Sequence, residues 1–340
     1  MKKINMALVG ATGMVGKKII EVLEERNFPI SQIYFFASAR SKGQVIKFRG
    51  KDYLVEELNE SSFDREIDIA LFSAGGETSK KFAAIARDKG VTVIDNSSAW
   101  RMDKDVPLVV PEVNPEDIIG HSGIIANPNC STIQVVVPLK AIDEKFKIKR
   151  IIYSTYQAVS GSGLAGIKDL ENGLKGLENT NYPYQIAFNC LPHIDSFTEN
   201  GYTKEEIKMI EETKKILGRS DLKITATTVR VPVRYGHSVS INIELEKEFQ
   251  LEEIYDLLGK AKGIVVQDNP KENLYPMPIC AEGTDSVYVG RIRRDFSIEN
   301  GLNMWVVADN IRKGAATNAV QIAELLVEEL RRWHFLRGLG

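Results

Sequence analysis

Cysteine is scarce: Cys130, Cys190 and Cys280 are the three in 340 residues. They form no CxxC pair and no even disulfide framework, which fits a reducing compartment and an expected cytoplasmic location. The four histidines, His121, His193, His237 and His334, are as scattered, so no zinc motif is spelled out and no metal is expected. Neither sign of charge is in excess. The 44 Lys and Arg against 46 Asp and Glu leave a net charge of -2, so no global field points to nucleic acid or a membrane surface. No apolar run reaches the length of a membrane span. The stretch after Met1-Lys2-Lys3 is broken by Gly10 too soon for a signal peptide, so none is expected. Internal repeats and low-complexity linkers are missing as well. What remains is 43% hydrophobic and 26% charged, in a chain long enough for two domains and a large core.

Residues 4–9 are rich in β-formers and feed Gly10-Ala11-Thr12-Gly13-Met14-Val15-Gly16, which opens a helix reaching about residue 26. This is a GxxGxxG form of the dinucleotide fingerprint. Glycine permits the tight turn and lets a pyrophosphate reach backbone N–H groups at the helix start. A second strand, 33–36, ends in Ala37-Ser38-Ala39-Arg40-Ser41. The acid that usually binds a ribose 2′-hydroxyl here is absent. Arg40, with the hydroxyls of Ser38 and Ser41, suits a 2′-phosphate instead, which favours NADP over NAD. A hairpin is expected over 45–56, then a strand at 67–72 that ends in Ser73-Ala74-Gly75-Gly76, small residues that leave room for a ligand at the sheet edge. A helix at 77–89 and a strand at 91–94 complete the alternation of a doubly wound α/β sheet.

Asn127-Pro128-Asn129-Cys130-Ser131-Thr132 lies between an apolar strand-like run, 123–126, and a helical pattern, 133–146. Cys130 then sits at a helix start, where the dipole and free N–H groups favour the thiolate, the nucleophilic form. A small buried Cys is the plain alternative, and the polar turn-forming neighbours argue against it. Beyond it, strands dominate, at 148–157, 224–233, 238–245, 286–293 and 302–308. Residues 172–181 read as a polar loop or frayed helix, and 203–217 as a helix with Thr203 and Glu206 at capping-box spacing. A second, α+β domain with a mostly antiparallel sheet follows. His237 lies on a polar connection between two strands and has the chemistry of an acid/base near neutral pH, or of a solvated loop histidine. Period 2 places Arg230, Pro232 and Arg234 on one face, where an arginine clamps a carboxylate. A nicotinamide site plus an activated Cys points to thioester chemistry with hydride transfer.

The fingerprint loop, the Asn-Pro-Asn-Cys-Ser-Thr turn, the Gln157–Gly163 loop, Glu205-Glu206-Ile207-Lys208, Val229-Arg230-Val231-Pro232, His237 and Asn310-Ile311-Arg312-Lys313-Gly314-Ala315-Ala316 occur in one order. Together they resemble the aspartate-β-semialdehyde dehydrogenase family over nearly the whole chain. The resemblance implies a Rossmann-like NADP-binding domain, 1–129 plus 312–340, and a catalytic and dimerisation domain, 130–311, paired as a homodimer. It implies reversible conversion of L-aspartyl-4-phosphate to L-aspartate 4-semialdehyde and phosphate, towards lysine, diaminopimelate, threonine and methionine. Cys130 would carry the acyl-thioester, His237 act as acid/base and Gln157 orient the substrate. Arg230 would pair with the α-carboxylate and Glu205 with the α-amino group. The neighbouring Glu206 offers a second register, and Glu205, three before Lys208, is the one chosen. Arg101, Asn129 and Lys208 would hold the phosphate. Gly10, Thr12, Gly13, Met14, Val15, Ser38, Arg40, Ser41 and Ser73, with Ser160, Gly161, Pro192 and Asn310, would line the cofactor. Backbone N–H groups at the start of the Ser131 helix would stabilise an oxyanion. N-acetyl-glutamyl-phosphate reductase is the nearest rival design, but it typically has Gly where this chain has Asn129. A catalytically silent NADP-binding protein would not need both Cys130 and His237.

Overall fold

The structure, a computed structural model, describes residues 3–337. Residues 1–2 and 338–340 and the side chains from 330 onward, His334 included, lie outside the described residues, and with them both ends of the expected first domain. The chain divides into two compact units. One runs to Pro128 and resumes at Ala315; the other is Asn129–Gly314.

The first unit is built on strands β1 (Ile4–Val9), β2 (Ile30–Ala37), β5 (Glu56–Glu57), β6 (Ile69–Phe72), β7 (Thr92–Asp95) and β8 (Ile124–Ala126). They form one sheet in the order β5-β2-β1-β6-β7-β8, and every pairing in it is parallel. Strands covered on both faces need continuous apolar runs, and Met6, Ala7, Leu8, Val9 and all of β6 are buried. Helix α1 (Met14–Glu25), helix α2 (Gly76–Asp88) and the terminal helix (Thr317–Arg337) belong to this unit. Ile19 and Leu23 of α1 share a core with Leu8, Phe35 and Leu71 of the sheet and Ala319, Ile322 and Ala323 of the terminal helix. Strands β3 (Val45–Phe48) and β4 (Lys51–Leu54) make the separate hairpin.

Gly10 closes β1 with a φ of 82°, and a Cβ there would lie 2.2 Å from the Ser73 carbonyl oxygen at the end of β6. Left-handed strain and a backbone collision act together. Gly10→Ala is therefore expected to cost about 2–4 kcal/mol, read as a lower urea midpoint at unchanged slope. An unchanged midpoint would contradict this account of the turn.

The second unit contains α3 (Cys130–Phe146), β9 (Ile148–Gln157), α4 (Gly163–Leu174), α5 (Lys204–Leu217), β10 (Lys223–Arg230), β11 (His237–Leu245), α6 (Leu251–Lys260), β12 (Ile264–Val266), α7 (Pro278–Ala281), β13 (Val287–Asp295) and β14 (Gly301–Ala308). Its sheet runs β10-β9-β11-β14-β13-β12. The three central pairings are antiparallel, and each edge adds a parallel pair, β10 with β9 and β12 with β13. Helix α3 is apolar on most of its surface because it lies between this sheet and the helices α5 and α6.

Two expected elements differ. The 172–181 segment begins inside α4, a 12-residue helix that the sequence hides behind Gly163, Gly166 and Gly173. Two of those glycines are there for contact: a Cβ would lie 2.3 Å from the Val159 carbonyl at Gly166, and 2.8 Å from Ala187 Cβ at Gly173. Strand β10 stops at Arg230 rather than 233, since Pro232 cannot continue a ladder. The alternation that was to align Arg230 with Arg234 therefore ends. Arg230 is buried, and Arg234 is exposed and paired with Glu171 at 2.8 Å. No described helix is long and apolar enough to cross a membrane.

Candidate active site

In the first unit the fingerprint loop lies at the carboxyl end of β1. Helix α1 starts at Met14 and Val15 with Gly13 as its N-cap residue; no side chain caps it and its first turn holds no acid. Its leading N–H groups are not claimed by a capping side chain, the arrangement that receives a phosphate. Thr12 Oγ1 lies 3.1 Å from Ser41 Oγ, so a hydrogen bond ties the loop to the turn after β2. Ser38, Arg40 and Ser41 sit on that turn, with Arg40 exposed on the short 3-10 segment Ala39–Ser41. Ser73 follows β6 directly beside Gly10. These residues fit a dinucleotide. Arg101 also belongs to this unit. It is buried and donates from Nε to the Asn127 carbonyl (3.0 Å) and from Nη2 to the Asn96 carbonyl (2.8 Å).

In the second unit Cys130 is half-buried and is the first residue of α3. Asn129 caps that helix: its Oδ1 accepts from the N–H of Ser131 (2.9 Å) and Thr132 (3.3 Å). Those amides were expected to face an oxyanion, and the cap claims them instead. Asn129 Nδ2 donates to Glu205 Oε1 at 2.9 Å, and its backbone N–H to Glu212 Oε2 at 2.6 Å. Both ends of the Asn129 side chain are engaged within the unit. It is thus a cap and a prop for Glu205, with one amide hydrogen of Nδ2 committed to that carboxylate.

Glu205 is the hub of this cluster. Its Oε1 also accepts from Gln157 Nε2 at 3.3 Å, and its Oε2 from Lys208 Nζ at 3.2 Å. Lys208 donates as well to Asp195 at 2.7 Å. Burial alone would lower the Lys208 ammonium; the Glu205 and Asp195 carboxylates outweigh it and hold it above the usual lysine value. Glu206 is spent elsewhere, accepting from the N–H of Thr203 (2.7 Å) and of Thr228 (3.0 Å). The adjacent acids therefore divide into one facing Gln157 and one closing a capping box.

His237 was expected on a polar connection between two strands. It is instead the first residue of β11 and fully buried. Its Nδ1 accepts the Ala158 N–H at 3.0 Å, so the neutral ring carries its hydrogen on Nε2, which has no partner among the described residues. Burial, and then the nearby Arg230 cation, push its pKa well below the usual histidine value. Arg230 donates from Nη1 to the Ala158 carbonyl at 2.7 Å, and its buried Nε likewise has no partner among the described residues. Gly161 lies against both: a Cβ there would be 2.7 Å from Arg230 Nη1 and 3.3 Å from His237 Nε2. Ser160 Oγ lies within hydrogen-bond reach of the Asn310 amide, whose Oδ1 accepts the Gly236 N–H at 2.9 Å. Pro192 is exposed and follows Leu191, which pairs with the Arg230 backbone. The structure thus groups Asn129, Gln157, Glu205 and Lys208, and, joined to them where Gln157 pairs with Arg230, it groups Arg230, His237, Ser160, Gly161 and Asn310. No group of metal-ligating side chains occurs among the described residues.

One neighbour of the site, Glu212, was not singled out in the sequence, and another, Gly314, was noted only within the 310–316 motif. Glu212 has only its helical spacing from Glu205 as a signal. Gly314 is needed for space, since a Cβ there would lie 3.0 Å from Cys130 Cβ.

The description "semialdehyde dehydrogenase, NAD binding domain" matches residues 5–121, and "semialdehyde dehydrogenase, dimerisation domain" matches residues 139–313. The aspartate-semialdehyde dehydrogenase of Aquifex aeolicus is 60% identical over 333 residues, 95% of this chain and 98% of that protein. This chain belongs to the aspartate-semialdehyde dehydrogenase family. The crystal structure of aspartate-semialdehyde dehydrogenase II from Vibrio cholerae, complexed with ASA, matches it with a TM-score of 0.93 and 49% identity, over 96% of this chain and 99% of that one. The Candida albicans aspartate-semialdehyde dehydrogenase with NADP matches with a TM-score of 0.76 and 28% identity, over 96% and 98%. As a member of the aspartate-semialdehyde dehydrogenase family, the chain is an oxidoreductase acting on an aldehyde.

Proposed function

We propose that the chain interconverts L-aspartyl-4-phosphate and L-aspartate 4-semialdehyde with NADP, through an acyl-thioester on Cys130, on the route to lysine, diaminopimelate, threonine and methionine. The observation that carries this reading is a pair of buried donors with no partner among the described residues, Arg230 Nε and His237 Nε2, on two side chains that both border Gly161. Buried polar groups are rarely left unmade, so a ligand with acceptor oxygens is the natural partner.

In the biosynthetic direction the Cys130 sulfur attacks the acyl phosphate, and the C–O bond to phosphate breaks. Arg101 and Lys208 receive the departing phosphate. Arg230 pairs with the substrate α-carboxylate, Glu205 with its ammonium, and Gln157 steadies the acyl group. When bound, NADPH supplies the hydride that reduces the thioester. His237 donates from Nε2 to the carbonyl oxygen as charge builds there, the service of an oxyanion donor. Collapse then releases aldehyde and returns the thiolate. The acid/base role expected of His237 is thereby narrowed to the donor side, because Ala158 holds Nδ1 as an acceptor.

The cofactor rests on Gly10, Thr12–Val15, Ser38, Arg40, Ser41 and Ser73, with Ser160, Gly161, Pro192 and Asn310 at the nicotinamide. The protein works in the cytoplasm as a homodimer formed through its second unit, the part that matches a dimerisation domain.

Aspartate semialdehyde, phosphate and NADP together should produce NADPH absorbance. A folded, NADP-binding protein without that signal would refute the proposal, and a signal only with the acetylated glutamate analogue would assign it to the reductase. Arg40→Glu should weaken NADP about ten- to a hundredfold, the size of a charge-assisted phosphate contact, and NAD far less. Equal losses for both cofactors would count against the 2′-phosphate assignment.

A further inference from the structure

Residues 175–184 follow α4 without regular secondary structure, yet one carboxylate fixes their middle. Asp169 is fully buried on α4. Its Oδ1 accepts from Thr180 N–H (2.7 Å) and Thr180 Oγ1 (2.9 Å), and its Oδ2 from the N–H groups of Asn181 and Tyr182 (2.8 Å each). Burial would push the carboxyl up; those donors outweigh it and hold it below the usual aspartate range, so the tether is ionised at neutral pH. A loop of this kind has no ladder to order it, so the carboxylate supplies the partners that its backbone N–H groups need.

The tether delivers Tyr182. Its hydroxyl lies 3.1 Å from Ser162 Oγ and 3.4 Å from the Val159 carbonyl, both on the loop that carries Gly161. Gly166 makes room for it, since a Cβ there would lie 2.6 Å from Tyr182 Oη. The ring centroid stands 5.9 Å from Arg230 Cζ, within reach of a cation–π contact. The Arg230 guanidinium is thus held by the Ala158 carbonyl at Nη1 and bordered by the Tyr182 ring, while Nε is unpartnered.

We infer that Tyr182 is a positioning residue for Arg230: Asp169 pins the 175–184 segment so that the tyrosine ring fixes the guanidinium in the orientation that receives a substrate carboxylate. This rests on the reading of Arg230 as the carboxylate clamp. The aromatic wall removes water from one side of the arginine and limits its rotation, so the two-point geometry of the pair is set before substrate arrives.

Three variants test it: Tyr182→Phe, which keeps the ring; Tyr182→Leu, which removes it; and Asp169→Asn, which turns an amide N–H₂ against the loop donors. In the steady-state assay, Tyr182→Leu and Asp169→Asn should raise the KM for aspartate semialdehyde about tenfold, the scale of a desolvated cation–π contact. Their kcat and their KM for phosphate and NADP should stay near wild type, and Tyr182→Phe should resemble wild type throughout. A KM that does not move, or one that moves equally for all substrates, overturns the inference. A second readout needs no turnover. With ¹⁵N-arginine labelling, the Arg230 Nε–H signal, identified by its loss in Arg230→Lys, should shift or broaden in Tyr182→Leu and Asp169→Asn but not in Tyr182→Phe. An unchanged signal in all three overturns the positioning role whatever reaction the enzyme runs. A shifted signal without the KM change leaves Tyr182 beside Arg230 and instead rejects Arg230 as the carboxylate clamp.

Discussion

Cys130→Ala is expected to leave less than about one-thousandth of wild-type turnover, because the thioester has no other sulfur on which to form. The substitution is mild for the fold. Cys130 is half-buried at the first position of α3, alanine is the best helix former, and the cap on that helix belongs to Asn129. Gly314 approaches the Cys130 Cβ and backbone, which alanine keeps. NADP affinity, measured by fluorescence titration, should survive, since the fingerprint loop and Arg40 belong to the other compact unit. Cys190 and Cys280 are exposed, and their alanine variants serve as controls that keep full turnover. Residual activity of Cys130→Ala above that thousandth would remove the nucleophile from the mechanism. Loss of NADP binding along with activity would show that the variant had damaged the fold instead.

The nucleotide loop was legible because its chemistry is local. Gly10 and Gly16 stand where the backbone of Ser73 and of Gly10 itself comes within 2.2–2.3 Å of an added Cβ, and such a demand can be met only by glycine. The Cys turn was legible for a similar reason, with polar turn-formers between an apolar strand and an apolar helix. The use of those turn-formers was not. Asn129 reads as an open polar residue until Glu205 and Glu212 arrive from 76 and 83 residues away and occupy its side chain and its amide. His237 sits in Tyr235-Gly236-His237-Ser238, polar enough to read as solvated, but strand β11 begins on it and buries it. Helix α4 escaped because glycines chosen for close approach are the residues that mark a loop by propensity. In each case a long-range contact decided what a short-range pattern left open.

His237→Asn is the variant that separates the two roles a histidine here could play. Asparagine can place its Oδ1 where Nδ1 lies, accept the Ala158 N–H and keep the turn intact, while nothing replaces Nε2. If Nε2–H is a donor to the developing oxyanion, kcat should fall about a hundred- to a thousandfold, with the KM for NADP unchanged. His237→Gln reaches further and can offer an amide N–H near the Nε2 position, so it should recover part of that loss. It leaves the buried Ala158 N–H unpaired and should cost about 1–3 kcal/mol of stability. A general base would behave differently: neither amide could accept the thiol proton, and both variants would be equally dead. The pH profile distinguishes the roles again. Burial, and secondarily the Arg230 charge, depress the folded-state pKa of His237 well below its ordinary 6.5, so the wild-type rate should show no acid limb near 6.5 from this ring. The same shift sets a stability slope. The unfolded chain binds a proton as pH falls below 6.5 while the folded ring stays neutral, so stability is full above 6.5 and is lost as pH drops towards the depressed folded value. His237→Asn should lack that component of acid sensitivity in urea melts. An acid limb at 6.5 that vanishes in His237→Asn, with no difference between the Asn and Gln variants, would return the proton-accepting role to this residue.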